Sequence, residues 1–529
     1  MFEEGAVAVD EGNLAFPRSY ILTTSIFDEF MEKNNLPESV NEKCWGRISI
    51  EELDRRILSG EFEEEHIAYL SEILQKERGP LIVRSSSLLE DSLVHSFAGI
   101  YHSEFIPNTG TEHERLERLI LAVKRVYDST YNLNAKAYRK RHGIPWQNEK
   151  MAILIQNVVG SDYCGLFYPV FAGVAFSKNY YPWSERIRVE DGIVRLVFGL
   201  GTKAVGRSYA RVLSPGAPGI RPEGAVIEKI LRYSQPEFDA LDMEKGEVVT
   251  KDIDCARDTN PHITKVFSVL REGMYFMNCP RYPRKEDRLV ATFDPIINST
   301  RYIPFVPMMR AVMSQLEEVF DVPVDIEFAG DFEGSRGTLY LVQVRPFVTR
   351  IRHKKITLPE DLKERMLLKS NDILGNGILE DIKYVVYVPP ETYSIERAYA
   401  IARQVGRVNE GLEDESCILI GPGRWGTTNP QLGIPVHYFE ISNARVVVEM
   451  SFSRFSPEFS YGTHFFGDLV STNVIYMPVF RERGDFVNTE FLNSQPSLTG
   501  GPYVKLIKWE KGIRVYADGR RRVGVAELL

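Results

Sequence analysis

The chain has 529 residues, 43% of them hydrophobic, which is enough for several buried cores and about three domains. Charged residues make up 26% and the formal net charge is −9, which argues against nucleic acid or an acidic membrane surface as a partner. No run approaches the roughly 18 apolar residues that cross a bilayer, and the five cysteines form no Cys-x-x-Cys pair, so we predict a cytoplasmic protein with reduced thiols.

Helical and strand patterns mix along the first 350 residues. Apolar residues at helical spacing predict helices within residues 17–34, residues 50–77 and EHERLERLILAVKRVYDSTY. Runs rich in branched apolar residues predict strands at LIVRSSS, MAILIQNVV, GVAFS, VRLVFGL, VDIEFAG and TLYLVQVRPF. Because these elements do not alternate as βαβ units, we predict an α+β fold with mainly antiparallel sheet.

The pattern changes near residue 350. The basic, polar stretch IRHKKITLPEDLKERM opens a linker that we place at residues 351–380. Residues 1–350 form the larger domain, in two parts divided near residues 80–150, and residues 381–529 form a smaller α+β domain of unknown role. The smaller domain's predicted elements are a helix at SIERAYAIARQVGRV and strands at YVVYVPP, CILIGPG, VHYFEI, ARVVVEMS, VIYMPVF, YVKLIKW and IRVYAD.

Arg84 is the first candidate for phosphate binding. It lies at the end of the strand LIVRSSS, before the small-residue segment HSFAGIYHS. A guanidinium binds two phosphate oxygens at once, and Gly99 lets backbone amides approach a ligand. The alternative is structural: Arg84 pairs with Glu90 or Asp91, and the serines only cap a helix.

A second polar group interrupts the predicted hairpin formed by VDIEFA and TLYLVQVRP. Strand alternation places Gln343 and Arg345 on one face of their strand, and Asp325 and Glu327 on one face of the partner. Polar side chains in apolar strands need partners, so Glu327 and Gln343 are candidate Mg²⁺ ligands and Arg345 is a candidate phosphate ligand. The alternative is a Glu327–Arg345 salt bridge that only holds the hairpin together.

The chain resembles the ATP-grasp nucleotide-binding domain of phosphoenolpyruvate synthases and pyruvate phosphate dikinases. Four ordered blocks carry the resemblance: VRSSSLLEDSLVHSFAGIYHS, MAILIQNVVGSDYCGLFYPVFAGVAFS, VFGLGTKAVG, and VDIEFAG with LYLVQVRPF. With PRSYILTTSIFDEFMEKNNL upstream, it covers about residues 15–350. The resemblance implies an ATP-grasp-like domain that binds ATP and Mg²⁺.

The resemblance also implies roles for individual residues. The residues that it assigns to nucleotide binding are Arg84, Ser96, Gly99, Gln156, Glu327, Gln343 and Arg345. Glu327 and Gln343 are implied metal ligands, and Arg84 and Arg345 are implied to act in catalysis on the phosphates. The loop at residues 96–101 is implied to cover the phosphates.

The chain departs from the family in three places. It has no Gly-Gly-Lys-Gly-type segment, whose lysine reaches the ATP phosphates in the family. Thr202 stands where the family has an acidic residue, and the neighbouring Lys203 either replaces the missing lysine or is a solvated surface charge. Asn134 stands where an arginine is expected, which leaves Arg139 and Arg141 as the nearest candidates.

The part after residue 350 does not follow the family. A pyruvate-binding barrel needs roughly 250 residues, and about 180 remain for it and a phosphohistidine domain. In IGPGRWGTTNPQLGIPV, either Arg424 and glycine amides form an anion site or Trp425 staples a tight hairpin. His464, in FSYGTHFFGDLVSTNV, is a candidate phosphoryl acceptor or acid–base residue, with a structural histidine as the alternative. His437, in the strand pattern VHYFEI, is expected to be half-buried.

We therefore predict an ATP-dependent phosphotransferase that binds Mg·ATP and passes a phosphoryl group to an unidentified small-molecule or protein acceptor. Two alternatives stay open. The chain is one component of a split synthase, whose partner polypeptide carries the missing phosphohistidine and pyruvate domains, or it is a regulatory protein that binds ATP without turnover.

Overall fold

A computed structural model describes residues 7–9, 12–44, 47–87, 90, 101–180, 182–205, 208–347, 356, 365–413, 415–427, 429–451, 474–498, 501–519 and 521–529. Within these ranges, no helix combines the length and the apolar character that a membrane crossing requires.

The N-terminal part is a four-stranded sheet with helices on one face. The helices are α1 Thr24–Lys33, α2 Leu36–Cys44, α3 Ile50–Ser59, α4 Glu64–Lys76, α5 Glu112–Ser129 and α6 Leu133–His142. The strands up to residue 157 are β1 Val7–Val9, β2 Gly12–Ala15, β3 Ser19–Leu22, β4 Leu81–Ser87, β5 Ser103–Ile106 and β6 Met151–Asn157. Strands β3, β6, β4 and β5 pair antiparallel in that order and form the first sheet. Val83 and Ile155 face the helices and are buried, so the alternate residues of β4 and β6 face away from them.

The helical pattern predicted over residues 50–77 is two helices, α3 and α4, in the structure. Gly60 ends α3 in an extended conformation. A Cβ at this position would lie 2.8 Å from the ring of Phe30 in α1. Glycine therefore lets α1 pack closely at the break, a tertiary contact that helical periodicity does not report.

The middle part contains the largest sheet of the first 350 residues. Its strands are β7 Ser161–Tyr163, β8 Leu166–Tyr168, β9 Phe171–Phe176, β10 Ile193–Val197, β11 Arg211–Leu213, β12 Glu237–Asp242, β13 Glu247–Asp252, β14 Ser268–Arg271, β15 Tyr275–Asn278, β16 Arg288–Val290, β17 Val324–Glu333 and β18 Arg336–Pro346. Its helices are α7 Thr202–Val205, α8 Ile227–Tyr233, α9 Asp294–Ile297 and α10 Phe305–Phe320. The central sheet has the order β1-β2-β18-β17-β9-β10-β11, and its described pairs are antiparallel except β2 with β18.

Two smaller sheets and α10 complete the core around the central sheet. Strands β13-β12-β8-β7 form one small sheet and β15-β14-β16 form the other. Buried residues of α10, such as Phe305 and Met309, belong to the same apolar cluster as Ile326 and Phe328 of β17. Packing of α10 against Ile326 and Phe328 therefore fixes β17, the strand that carries Asp325 and Glu327.

The C-terminal part has a mixed eight-stranded sheet in the order β25-β24-β21-β20-β27-β28-β19-β26. The strands of this part are β19 Met366–Ser370, β20 Gly377–Tyr387, β21 Cys417–Pro422, β22 Arg424–Trp425, β23 Gly433–Ile434, β24 Ala444–Met450, β25 Ile475–Val479, β26 Phe486–Val487, β27 Lys505–Asp518 and β28 Val523–Leu528. Its α-helices are α11 Ala398–Gly411 and α12 Thr489–Ser494. Strands β20, β21, β24 and β25 run parallel, and both faces of β21 are buried, which explains its unbroken apolar run.

The mixture of helices and strands confirms the predicted α+β class. Residues 351–380, the predicted linker, contain strand β19 and the start of β20. Leu367 and Leu368 of β19 are buried, so this stretch is part of the C-terminal sheet. The strand predicted at VHYFEI is wrong: Tyr438–Ile441 is a short helical turn. The Glu440 carboxylate accepts a hydrogen bond of 2.7 Å from the His437 backbone N–H, which closes this turn. The domain limits themselves stay a prediction.

Candidate functional site

A cavity of about 230 Å³ lies between the first sheet and the central sheet. The first sheet lines it with Ile82, Arg84, Ser103, Phe105 and Gln156. The central sheet lines it with Ala172, Gly173, Glu327, Phe328, Ala329, Val342, Gln343 and Arg345. The segment after β6 and the start of α7 contribute further residues, including Val158, Val159, Leu200 and Thr202. Because most of these side chains are apolar, the few polar ones define where a ligand's charged part binds.

Five polar residues form one cluster here; Arg84, Glu327, Gln343 and Arg345 line the cavity, and Asp325 lies behind Arg345. Arg84 Nη2 donates to Glu327 Oε2 at 2.7 Å and also to Gln343 Oε1. Arg345 Nη2 donates to Glu327 Oε1 at 3.3 Å and to Asp325 Oδ2 at 3.4 Å. The four charged side chains are between 7% and 18% exposed. The structure thus brings Arg84, Glu327, Gln343 and Arg345 together across two sheets.

The pairing of β17 with β18 positions the carboxylates. Glu327 lies opposite Gln343, and Asp325 lies opposite Arg345. The register shifts directly after Glu327, which makes Val342 the extra residue of a β-bulge. Bulges bend a strand and re-aim its side chains, and they are frequent next to functional sites.

Gln156 joins the two sheets at this bulge. Its Nε2 donates to Ser19 Oγ of the first sheet at 3.0 Å and to the Val342 carbonyl of the central sheet at 3.4 Å. Gln156 is buried and lines the cavity. Its position next to the cavity is where the resemblance placed it, and a direct contact with nucleotide stays a prediction.

The sequence leaves open two purely structural roles, an ion pair of Arg84 with Glu90 or Asp91 and a salt bridge between Glu327 and Arg345. Arg84 donates to Glu327 and Gln343 rather than to Glu90. The Glu327–Arg345 salt bridge is present, so the cluster satisfies its own charges when no ligand is bound. A buried ion pair is weak evidence for stability. Arg84 comes from the other sheet and contacts both strands of the hairpin, so the cluster is more than a salt bridge within the hairpin.

Thr202 and Lys203 take part in a second polar group at the cavity wall. Thr202 Oγ1 donates to Asp239 Oδ2 at 2.6 Å, and Thr250 Oγ1 donates to Asp239 Oδ1 at 2.6 Å. Lys203 Nζ lies 3.3 Å from Asp239 Oδ1, with its side chain 20% exposed. Lys203 is therefore neither a solvated surface charge nor, in the described chain, a cavity-lining cation. Sequence reasoning missed Asp239, which lies in no recognised motif.

Among the described residues that line the cavity, neither Asn134 nor Arg139 is present, and the side chain of Arg141 lies outside the described residues. Asn134 Oδ1 accepts a hydrogen bond of 3.1 Å from the Phe439 backbone N–H and so joins α6 to the C-terminal part. Arg139 lies 3.8 Å from Glu149, and their side chains are 6% and 0% exposed. Burial raises the pKa of Glu149, and burial together with the Glu149 charge raises the pKa of the cavity-lining Tyr101 hydroxyl. Sequence reasoning missed Glu149.

The side-chain oxygens of Glu327 and Gln343 are of the kind that binds magnesium. Glu327 Oε2 and Gln343 Oε1 both contact one nitrogen of Arg84, so two oxygens already converge on a cationic position. Among the residues that the structure describes, no group of three or more His, Cys, Asp or Glu side chains can hold a metal ion. Mg²⁺ usually takes one or two carboxylates and completes its shell with water and substrate phosphate.

The C-terminal loop candidates have a partly structural explanation. Trp425 is fully buried, and its Nε1 donates to the Val448 carbonyl at 3.0 Å. Glu449, also fully buried, accepts hydrogen bonds from the Trp425 backbone N–H at 2.8 Å and from the Tyr476 hydroxyl at 2.6 Å. These contacts give Trp425 a structural role, but the predicted tight hairpin is wrong, because β22 and β23 pair in parallel and Trp425 hydrogen-bonds to β24. An anion site at Arg424 stays a prediction.

Three predicted site residues cannot be placed in this way. Ser96, Gly99 and His464 lie outside the described residues. Their roles stay predictions from the sequence. His437 is exposed, so the expectation that it is half-buried is wrong. Partial desolvation of its ring, and then the charge of Arg403, lowers the pKa of the imidazole and favours the neutral ring.

Comparison with known proteins defines the class of this chain. Residues 5–366 match the family described as pyruvate phosphate dikinase, AMP/ATP-binding domain, and the chain belongs to this family. The cavity lies within the matched residues.

Individual relatives are distant. A probable phosphoenolpyruvate synthase of Methanocaldococcus jannaschii is 20% identical over 376 residues, which cover 67% of this chain and 26% of that protein. The phosphoenolpyruvate synthase of Escherichia coli is 22% identical over 357 residues, which cover 64% of this chain and 38% of that protein. A rifampicin phosphotransferase of Streptomyces sviceus is 25% identical over 193 residues, 36% of this chain and 19% of that protein. The chain thus spans less than two fifths of the length of each of these relatives.

Proposed function

We propose that the cavity binds Mg·ATP between the first and central sheets, in an ATP-grasp-like arrangement, and that the chain is an ATP-dependent phosphotransferase. The observation that carries the proposal is the contact of Arg84 with Glu327 and Gln343 across the cavity. Membership of an AMP/ATP-binding family supports the nucleotide. The two antiparallel sheets supply the apolar walls for a base and the polar cluster for phosphates.

The side chains have distinct roles in this proposal. Without ligand, Glu327 pairs with both Arg84 and Arg345, and Asp325 supplies the second negative charge that balances them. With nucleotide bound, both guanidinium groups donate to phosphate oxygens, and Asp325 keeps Arg345 oriented. Glu327 and Gln343 would hold Mg²⁺ through their side-chain oxygens, and the ion would neutralise negative charge on the phosphates. Because these groups are largely shielded from water, their charges act on a developing phosphoryl charge with little screening.

The acceptor is the open part of the proposal. Phosphoenolpyruvate synthases and a rifampicin phosphotransferase both match, so the names of the relatives do not select one acceptor for this chain. His464 remains our candidate for a phosphoryl acceptor or acid–base residue. A partner polypeptide with phosphohistidine and pyruvate domains is the alternative route for the phosphoryl group.

Product analysis tests the proposal. The purified chain is incubated with Mg·ATP, with and without pyruvate, and AMP, ADP and phosphate are separated. AMP formation indicates dikinase-type transfer, and ADP alone indicates a kinase with another acceptor. Tight ATP binding without turnover by the chain or by the chain with its partner refutes the phosphotransferase and favours a regulatory ATP-binding protein.

A matched pair of arginine variants separates the site from general charge effects. Arg345 and Arg336 both lie on β18, and Arg336 is exposed and donates to Asn13 Oδ1 at 2.7 Å. We expect Arg345→Ala to abolish product formation and Arg336→Ala to retain it. Equal turnover by the two variants contradicts the proposed site even if the chain is a phosphotransferase.

A further inference from the structure

A second cavity, of about 930 Å³, lies where the N-terminal part meets the C-terminal part. Helix α6 lines one side, and α11 with the turn Tyr438–Ile441 lines the other. Within the described chain, this cleft shares no lining residue with the proposed ATP cavity. Clefts of this kind between parts of a chain are frequent sites for small ligands.

The two helices present pairs of cations to this cleft. Lys136 and Lys140 are four residues apart on α6, and Arg403 and Arg407 are four residues apart on α11. Residues at this spacing lie on one helix face, and like charges placed there destabilise a helix. Arg445 of β24 adds a fifth cation to the lining.

The carboxylates of the cleft balance only part of this charge. Arg403 Nη2 donates to Glu440 Oε2 at 2.8 Å. In the part of the chain that the structure describes, no carboxylate lies within ion-pair distance of Lys136 or Arg407. Glu410 and Glu413 also line the cleft, so five cations face three carboxylates among its described lining residues, which carry a formal charge of +2.

Hydrogen bonds hold both walls against the same turn. Asn134 of α6 accepts from the Phe439 N–H at 3.1 Å, and Asn409 Nδ2 of α11 donates to the Phe439 carbonyl at 3.0 Å. A Cβ at Gly406 would lie 2.8 Å from Glu440 Cγ, so glycine lets the turn pack directly against α11. These contacts fix α6 and α11 relative to each other, so the cations on both helices face the cleft without any rearrangement of the helices.

We propose that this cleft is a second binding site, for a small phosphate-bearing anion. A phosphate group accepts hydrogen bonds from lysine and arginine at the same time, and its charge relieves the repulsion within each cation pair. A cleft of about 930 Å³ has the volume of small-ligand sites, and the chain's net charge of −9 disfavours nucleic acid. The proposal is independent of ATP turnover, because the two sites share no described residue.

Calorimetric titration of the full chain with pyrophosphate tests this site at low and high salt. We expect Lys136→Ala with Arg407→Ala to weaken one binding event at least tenfold, because two cations are lost, and we expect salt to weaken the same event in the wild type. The matched control is Lys285→Ala with Lys511→Ala, which removes two exposed lysines that line neither cavity. Lys136→Arg with Arg407→Lys retains the charges and should retain binding.

Arg345→Ala separates this event from binding in the ATP cavity. Survival of the salt-sensitive event in Arg345→Ala, together with its loss in Lys136→Ala with Arg407→Ala, supports the proposal. Three results overturn it: no pyrophosphate binding at millimolar concentration, equal binding by the two double variants, or loss of all binding in Arg345→Ala. None of these results depends on whether the chain hydrolyses or transfers phosphate from ATP.

Discussion

Replacing Glu327 by Gln tests the proposed metal ligand with almost no change of volume. Glu327 accepts hydrogen bonds from Arg84 at 2.7 Å and from Arg345 at 3.3 Å. Hydrogen bonds to charged groups contribute about 1 kcal/mol more than neutral ones, so two weakened bonds cost about 2 kcal/mol. For a cooperative unit of about 350 residues, this loss lowers the Tm by about 3 °C.

The effect on nucleotide binding distinguishes a metal ligand from a structural carboxylate. We expect Glu327→Gln to weaken Mg·ATP binding at least tenfold, which is about 1.4 kcal/mol, because an amide oxygen is a poorer ligand for Mg²⁺. ATP binding in EDTA should change less than about threefold, since no metal is then lost. Calorimetry of the variant with and without Mg²⁺ measures both quantities.

Glu333→Gln is the matched control, because Glu333 lies on the same strand and is exposed. The reasoning is refuted if Glu327→Gln weakens ATP binding equally with and without Mg²⁺. It is also refuted if the Tm falls but neither affinity changes, since Glu327 would then only hold the arginines.

Three further predictions follow from individual contacts. Lys203→Met should change the ATP Kd less than about threefold in calorimetry, whereas Arg84→Ala should raise it more than tenfold; equal effects would mean that Lys203 reaches the phosphates. Burial and the nearby Asp54 raise the pKa of Asp128 to about 7 from its usual value of 3.8, so the folded chain binds this proton more tightly and stability falls as the pH rises from about 4 to 7. Asp128→Asn should therefore raise the Tm more at pH 8 than at pH 5, and a pH-independent difference in Tm would contradict the assignment. Trp425→Ala should lower the free energy of unfolding of the C-terminal part by about 3–5 kcal/mol in urea titration, because Trp425 is fully buried; a loss below about 1 kcal/mol would exclude a structural role for Trp425.

Local patterns predict the elements that carry the site. Alternation along β4 and β18 is visible in the sequence, so Arg84, Gln343 and Arg345 stand out as polar residues in apolar strands. The same patterns fail where a distant residue decides the local structure. Gly60 ends α3 at a place where Phe30 of α1 leaves no room for a Cβ atom. In VHYFEI, the Glu440 carboxylate accepts a hydrogen bond from the His437 N–H and closes a helical turn.

The sequence by itself determines the α+β class, the family and the identity of the polar residues, because periodicity and motifs are properties of neighbouring positions. Only the tertiary structure decides which of these residues meet. Arg84 and Glu327 are 243 positions apart and touch because two sheets face each other. Asn134 of α6 meets Phe439, and Lys203 of α7 meets Asp239, because elements distant in the sequence pack together. Contacts between sheets and domains depend on how apolar faces pack, and no local spacing records that packing.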